Sequence, residues 1–287
     1  MDLIKKVRKE VKAHHSSEKT VYESEDVKKP SNPQFPVFPR LSLSNKFDFL
    51  LKDSGKAVVD LESFRVRPDV DAIYYIPDFI STSDETNFWK QIHCDAAKWT
   101  ELTSRRLQRF CLNVKKDGKT DSGFPDYIQQ LAEAFVKVGI FKADKSDFPN
   151  HVLLNEYIPG QGIMHHTDGE KYEPLVAAIS LNSPSVLTFV ERQSTDEIGF
   201  KKPRVVSRLL LEPRSVVVFK NWVYENAMHG LDGVEEEKCG HIDNLKLVSD
   251  GMNKNTIIKR GVRVSITFRR EKEGCGHSVP VAGMGTK

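Results

Sequence analysis

HVLLNEYI, residues 151–158, is the stretch on which the fold of this chain turns. It is short, rich in β-forming residues and closed by Pro159-Gly160, and it is the first of a series. LVAAISL (175–181), VLTFV (186–190), SRLLLE (207–212), SVVVF (215–219) and VRVSITF (262–268) follow it, punctuated by Ser183-Pro184, Glu212-Pro213-Arg214 and Lys259-Arg260-Gly261. Short strands with even turn signals predict a β-sandwich or jelly roll. Two polar stretches, 191–206 and 232–260, read as long loop insertions between strands.

Upstream of residue 151 the periodicity changes. Ile73-Tyr74-Tyr75-Ile76 is a brief β-like run closed by Pro77-Asp78. Phe88, Trp89 and Ile92 then share one helical face, with Ser83 placed to cap that helix. A second helix is expected to carry Pro125 in its first turn, to face the core with Ile128, Leu131, Phe135 and Val138, and to stop at Gly139. Both amphipathic faces need an apolar surface to lie on. The expected class is therefore mainly β with flanking helices (α+β), the β core lying at about 151–271 of a domain spanning 61–287.

Residues 1–60 are polar and interrupted by Pro30, Pro33, Pro36 and Pro39, which reads as a disordered or loosely docked extension. Leu3, Ile4, Val7 and Val11 fall at helical spacing, and Lys5-Lys6-Val7-Arg8 fits a basic import signal. A short solvated helix and an import signal are both open readings of that segment. The net charge of +3 sits wholly in this region: 12 Lys/Arg face 9 Asp/Glu there, and the remainder is balanced at 31 of each. A basic surface on the main domain would have to come from local clustering. The four cysteines are scattered without a CxxC pair, which excludes a zinc module and a disulfide framework and fits a reducing compartment. No apolar run approaches the roughly 20 residues that span a bilayer. The expectation is a monomer of cytoplasm and nucleus with no membrane partner.

Three clusters carry chemistry. His166 and Asp168 are two apart, so on an extended segment both side chains point to the same side and reach one ion. His229, in YENAMHGL, is the natural third ligand. Two histidines and one carboxylate on one face of an octahedral metal leave positions open for oxygen chemistry. HxD is also a common three-residue pattern, and packed or solvent-facing histidines would look alike. In the second cluster, Arg263, Ser265, Thr267 and Arg269 share one face of a strand while Val264, Ile266 and Phe268 share the other. Two arginines on the inner face of a β-domain are costly unless they meet anions, and guanidinium forks suit carboxylates; a wet edge strand is the alternative. The third cluster is Asn155 and Tyr157, again on one strand face, able to donate to an oxyanion or to serve as buried structural residues.

In order, N-x-Y-x-P-G, H-x-D, H and R-x5-R resemble the AlkB dioxygenases. VDLESFRV, IYYIPDFIS, KWTELTSRRLQ, NHVLLNEYIPGQGIM followed by HxDG, LLLEPRSVVVF and RGVRVSITFRR narrow the resemblance to the AlkB homologue 6 subfamily, over most of 59–271. The resemblance implies a double-stranded β-helix fold and an Fe(II)- and 2-oxoglutarate-dependent dioxygenase that consumes O2. It also implies that His166, Asp168 and His229 ligate Fe(II), and that Asn155, Tyr157, Arg263 and Arg269 hold 2-oxoglutarate, with Arg263 meeting its distal carboxylate. The substrate implied is an alkylated base of DNA or RNA, extruded from its stack and demethylated with loss of formaldehyde. The substrate lid falls at about Trp99 to Asn113, where Arg105, Arg106, Arg109 and Phe110 offer a basic and aromatic patch, or a solvated basic turn beside a core Phe. Arg109-Phe110-Cys111-Leu112 replaces the Asn-Trp-Gly-Gly usual at this point of the subfamily, and His165 replaces a common Pro. Glu170 stands where some relatives carry a second carboxylate for substrate. A protein-directed dioxygenase and a nucleic-acid-binding homologue with little demethylase activity are the alternatives.

Overall fold

From residue 151 onward the chain crosses back and forth between two antiparallel sheets. The computed structural model describes residues 60–94, 99–112, 123–144, 146–192, 203–248 and 252–272. The readings for residues 1–59 lie outside the described residues, as does most of the 191–206 insertion.

The elements are β1 (Ile73–Ile76), α1 (Thr82–His93), β2 (Thr100–Glu101), β3 (Arg106–Cys111), α2 (Asp126–Lys137), β4 (His151–Tyr157), β5 (Ile163–His166), β6 (Tyr172–Leu181), β7 (Ser185–Glu191), β8 (Val205–Leu211), β9 (Val216–Lys220), α3 (Trp222–Asn226), β10 (Ala227–Leu231), β11 (Glu236–Lys238), β12 (Ile257–Lys259) and β13 (Arg263–Glu271). A seven-stranded sheet runs β1-β9-β6-β13-β4-β3-β2, and a four-stranded sheet runs β5-β10-β7-β8. β4, β6, β9 and β13 belong to the first, and β5, β7, β8 and β10 to the second. This interlocked winding is a double-stranded β-helix, the jelly-roll relative expected from the strand pattern.

Strand alternation gives the large sheet two apolar faces. Val152, Leu154, Val216, Val218, Val264, Ile266 and Phe268 pack with Phe88, Ile92, Ile128, Leu131 and Phe135 of the helices. Tyr157, Val176, Ala178, Val217 and Phe219 instead meet Leu187, Phe189, Leu209, Leu211 and Leu231 of the small sheet. The large sheet is thus a middle layer between helices and small sheet. The helix α2 starts after Pro125 and ends before Gly139, whose φ of 77° suits glycine.

Two sequence expectations are corrected. The cap of α1 is Ser81, not Ser83: its hydroxyl accepts from the Asp84 amide while the Asp84 side chain accepts from the Ser81 amide, a capping box. The 232–260 stretch is not simple loop, because it contains the β11–β12 hairpin and covers the outer face of the small sheet with Cys239 and Ile242 against Val186 and Leu210. Asn244 of this insertion takes the place of a neighbouring strand for β8. Its Oδ1 accepts from Leu210 N and its Nδ2 donates to Leu210 O, both at 2.9 Å. Among the described residues no helix is long and apolar enough to cross a membrane.

Candidate metal centre and anion pocket

β5 and β10 pair antiparallel with His166 opposite His229, and Asp168 follows in the turn after β5. One ligand atom from each of His166, Asp168 and His229 lies within 4.8 Å of the others. The close approach of the strands depends on Gly230, where a Cβ would stand 2.9 Å from both His165 N and Ile163 O.

Each side chain is set for coordination by its second contacts. His166 Nδ1 donates to the Met164 carbonyl at 2.9 Å, which leaves the Nε2 lone pair for a metal. The His229 ring packs on Phe189 and Phe219, and burial pulls its pKa down to about 4 despite the nearby Asp168 carboxylate, so it is neutral at pH 7. Asp168 Oδ1 accepts from Arg269 Nη1 at 2.7 Å, while its Oδ2 is buried without a hydrogen-bond partner among the described residues. Buried polar atoms are normally satisfied, so an unpartnered carboxylate oxygen facing two imidazoles fits a cation. The sequence expected exactly these three residues to converge, and they do.

A cavity of about 230 Å³ runs from this triad between the sheets. β13 lines it with Arg263, Ser265, Thr267 and Arg269, and β4 with Leu153, Asn155 and Tyr157. Arg263 is 2% exposed; its Nη2 donates to Ser180 Oγ at 2.8 Å, but Nε and Nη1 have no partner among the described residues. Burial draws its pKa down to about 10, so the cation persists at pH 7, and no carboxylate pairs with it among the described residues. A buried guanidinium with donors unmet fits a carboxylate ligand. Tyr157 sits beside it, the guanidinium 6.0 Å from the ring centre. The donor set therefore suits a metal at one end of the cavity and a carboxylate at the other, as a metal-chelating dicarboxylate requires.

The lid residues separate by face. β3 begins at Arg106 and pairs with β4 so that Arg106 opposes Glu156, Gln108 opposes Leu154 and Phe110 opposes Val152. Those positions face the helices, not the cavity. Arg106 is bound through Nε and Nη2 to the Glu156 carboxylate at 2.7 and 3.0 Å and lies over the Trp99 ring. Phe110 is half-buried against Tyr127. Both are corrections to the basic and aromatic patch, because a strand sends alternate side chains to opposite faces. Arg105 lines the cavity, and Arg109 is exposed on the cavity side of the sheet, opposite Leu153. Glu170 does not line the iron-type cavity. It is exposed at an adjoining recess of about 540 Å³ that also holds Tyr172, Arg192, Tyr224 and Lys272, with Thr167 common to both. His165 is exposed beside the triad. The contacts of Ser180 with Arg263 and of Arg105 with Asn155 were not readable from sequence, since each joins positions more than forty residues apart.

A sequence model of the 2OG-Fe(II) oxygenase superfamily matches residues 80–269. The chain is 34% identical over 219 residues to the probable RNA/DNA demethylase ALKBH6 of Danio rerio, covering 75% of this chain and 92% of that protein. It is 25% identical over 225 residues to the tRNA (carboxymethyluridine(34)-5-O)-methyltransferase ALKBH8 of Macaca fascicularis, covering 72% of this chain and 31% of that protein. The solved structure of OsALKBH1 aligns at 14% identity with a TM-score of 0.46, over 71% of this chain and 100% of that one. This family uses Fe(II), 2-oxoglutarate and O2, and the His166, Asp168 and His229 cluster is present to receive the metal. The chain belongs to the 2OG-Fe(II) oxygenase superfamily, in its AlkB branch and beside ALKBH6.

Proposed function

We propose that this oxidoreductase demethylates alkylated bases of nucleic acid, with Fe(II) held by His166, Asp168 and His229 and 2-oxoglutarate held by Asn155, Tyr157, Arg263 and Arg269. The observation that carries the reading is the cavity that joins the triad to Arg263, whose Nε and Nη1 have no hydrogen-bond partner among the described residues. When bound, iron with 2-oxoglutarate and O2 supplies the two-electron oxidation of a C–H bond. The chain's own part is to bind and orient. Arg263 and Tyr157 receive the distal carboxylate, Arg269 fixes Asp168, and the His166 and His229 rings are held by the Met164 carbonyl and by Phe189 and Phe219. Apolar Val176, Ala178, Leu187, Val217 and Phe219 line the floor and exclude water.

The choice of nucleic acid as substrate is supported by the function named for the Danio rerio relative. It also draws on the exposed Arg109 and on Glu170 beside the adjoining recess, where a displaced base would need a cationic and a hydrogen-bonding neighbour. Whether DNA or RNA is taken is left to the test. Cytoplasm and nucleus are the proposed compartments, with Lys5-Lys6-Val7-Arg8 as the import element; deleting residues 2–12 from a fluorescent fusion should lower its nuclear fraction.

The decisive experiment titrates wild type and His166→Ala with Fe(II) and 2-oxoglutarate without oxygen. Succinate and formaldehyde release are then followed over a panel of methylated DNA and RNA oligonucleotides. Wild type should bind both ligands and release formaldehyde with at least one oligonucleotide, and His166→Ala should do neither. Tight binding of both ligands with no turnover on any oligonucleotide would shift the reading to a protein substrate.

A further inference from the structure

Arg105 is the cavity cation whose role the site does not yet explain. It lies just before β3 and lines the cavity, and its hydrogen-bond partners are Asn155 Oδ1, 2.9 Å from its Nε, and Ser104 Oγ at 3.5 Å from Nη1. No carboxylate pairs with it among the described residues. The cavity lining holds three guanidinium groups, Arg105, Arg263 and Arg269, and one carboxylate, Asp168, which Arg269 already occupies.

The contact with Asn155 has a directional consequence. An amide side chain presents an acceptor at one branch and two donors at the other, and a flip between them changes shape very little. A guanidinium only donates. Arg105 therefore selects the rotamer in which the Asn155 oxygen faces β3, and the NH2 branch is left to the cavity, on the side of Ser265, its register partner on β13. Among the described residues no protein acceptor takes that NH2. With the opposite flip, Asn155 would offer an oxygen to any anion in the cavity, and the contact would turn repulsive. Asn155 is only 7% exposed, so water does not substitute freely for the missing restraint.

We infer that Arg105 is a positioning residue for the cosubstrate: it locks the Asn155 amide with its NH2 presented to a carboxylate in the cavity. The inference rests on the cosubstrate reading above and reassigns Arg105 from substrate contact to cosubstrate cradle. It also makes the segment leading into β3 part of the 2-oxoglutarate site, so that displacing this segment loosens the cosubstrate.

The test measures binding without turnover. Wild type, Arg105→Ala, Arg105→Lys, Asn155→Ala and the Ala/Ala double variant are loaded with Mn(II) and titrated calorimetrically with 2-oxoglutarate. Losing one charge-assisted hydrogen bond in a buried site should weaken binding by roughly tenfold in Arg105→Ala and in Asn155→Ala. Because Arg105 acts through Asn155, the double variant should be no weaker than Asn155→Ala alone. Arg105→Lys, whose ammonium also only donates, should bind 2-oxoglutarate more tightly than Arg105→Ala, and Mn(II) affinity should be unchanged throughout. Multiplicative losses in the double variant, or wild-type affinity in Arg105→Ala, would each overturn the inference. If wild type itself fails to bind 2-oxoglutarate, the proposed function falls and takes this inference with it.

Discussion

Arg269 Nη1 donates to Asp168 Oδ1 at 2.7 Å, and each side chain is only 6% exposed. One guanidinium thus holds the carboxylate that completes the metal triad, and it does so from β13, the strand that also carries Arg263. Replacing it with Gln leaves a neutral donor of shorter reach. Second contacts to ligands are worth about 10- to 100-fold in metal affinity, and breaking a buried pair costs about 3–5 kcal/mol. Arg269→Gln should therefore lose both metal affinity and thermal stability. Mn(II) titration and differential scanning calorimetry measure the two effects.

Arg263 should behave in the opposite sense for stability. It is buried with Nε and Nη1 unmet among the described residues, so the ligand-free fold bears a desolvated cation. Arg263→Met removes that cost, and a gain of about 1–3 kcal/mol is expected for the free protein. Binding of 2-oxoglutarate should vanish in the same variant. A melting temperature below wild type in the absence of ligands would contradict this account.

Gly230 sets the spacing of the metal strands. A methyl there meets backbone atoms of His165 and Ile163 at 2.9 Å, and neither can rotate away. Gly230→Ala should push β5 from β10 and pull His166 from His229. Overpacking of this kind costs about 1–3 kcal/mol, and the metal affinity should drop more sharply than the stability. The pair of measurements, metal titration and urea unfolding, separates local displacement from global loss.

Acid stability follows from Glu156, which lies behind the site. Burial alone would raise its pKa, but the hydrogen bonds and charges of His93 and Arg106 outweigh burial and hold it at about 2. A carboxylate depressed below its unfolded value of about 4.3 contributes stability above that pH and loses it as pH falls toward 2. Wild type should thus lose stability steeply between about pH 4.3 and 2, and Glu156→Gln should be flatter over that window. At pH 7 the Gln variant should be less stable by about 3–5 kcal/mol, because Arg106 and His93 lose a buried acceptor. Equilibrium unfolding across the pH series gives the comparison directly.

The residues that the sequence revealed best are those whose meaning depends only on their own strand. Arg263, Ser265, Thr267 and Arg269 alternate with Val264, Ile266 and Phe268, and that period is visible without knowing any neighbour; the structure confirms the division into cavity and core faces. Where the meaning depends on a distant partner, the sequence left two readings open. Arg106 and Phe110 could form a nucleic-acid patch or a basic turn beside a core Phe, and the pairing of β3 with β4 turns them toward Glu156, Val152 and the helices. The β5 strand, IMHH, escaped the pattern because its Met164 and His165 are exposed and only four residues form it. The α1 cap was displaced by two residues since Ser81 and Ser83 are both plausible caps, and only Asp84, bonding back to the Ser81 amide, decides between them. The Arg105–Asn155 bond spans fifty positions, and nothing local announces it.

The side-chain amide of Asn244 imitates a peptide group toward Leu210. β8 is the outer strand of the small sheet, and an uncovered outer strand is a template on which a second molecule can add its own. The insertion that carries Asn244 therefore acts as a stopper against intermolecular sheet growth, in a protein whose catalytic parts lie on the far strands of the same sheet. Asp243 does the same one turn of the pleat away, its Oδ2 accepting from Arg208 N and its own N donating to Arg208 O, so two adjacent residues of the insertion close the edge. Variants of the insertion that spare every cavity residue would still be expected to aggregate.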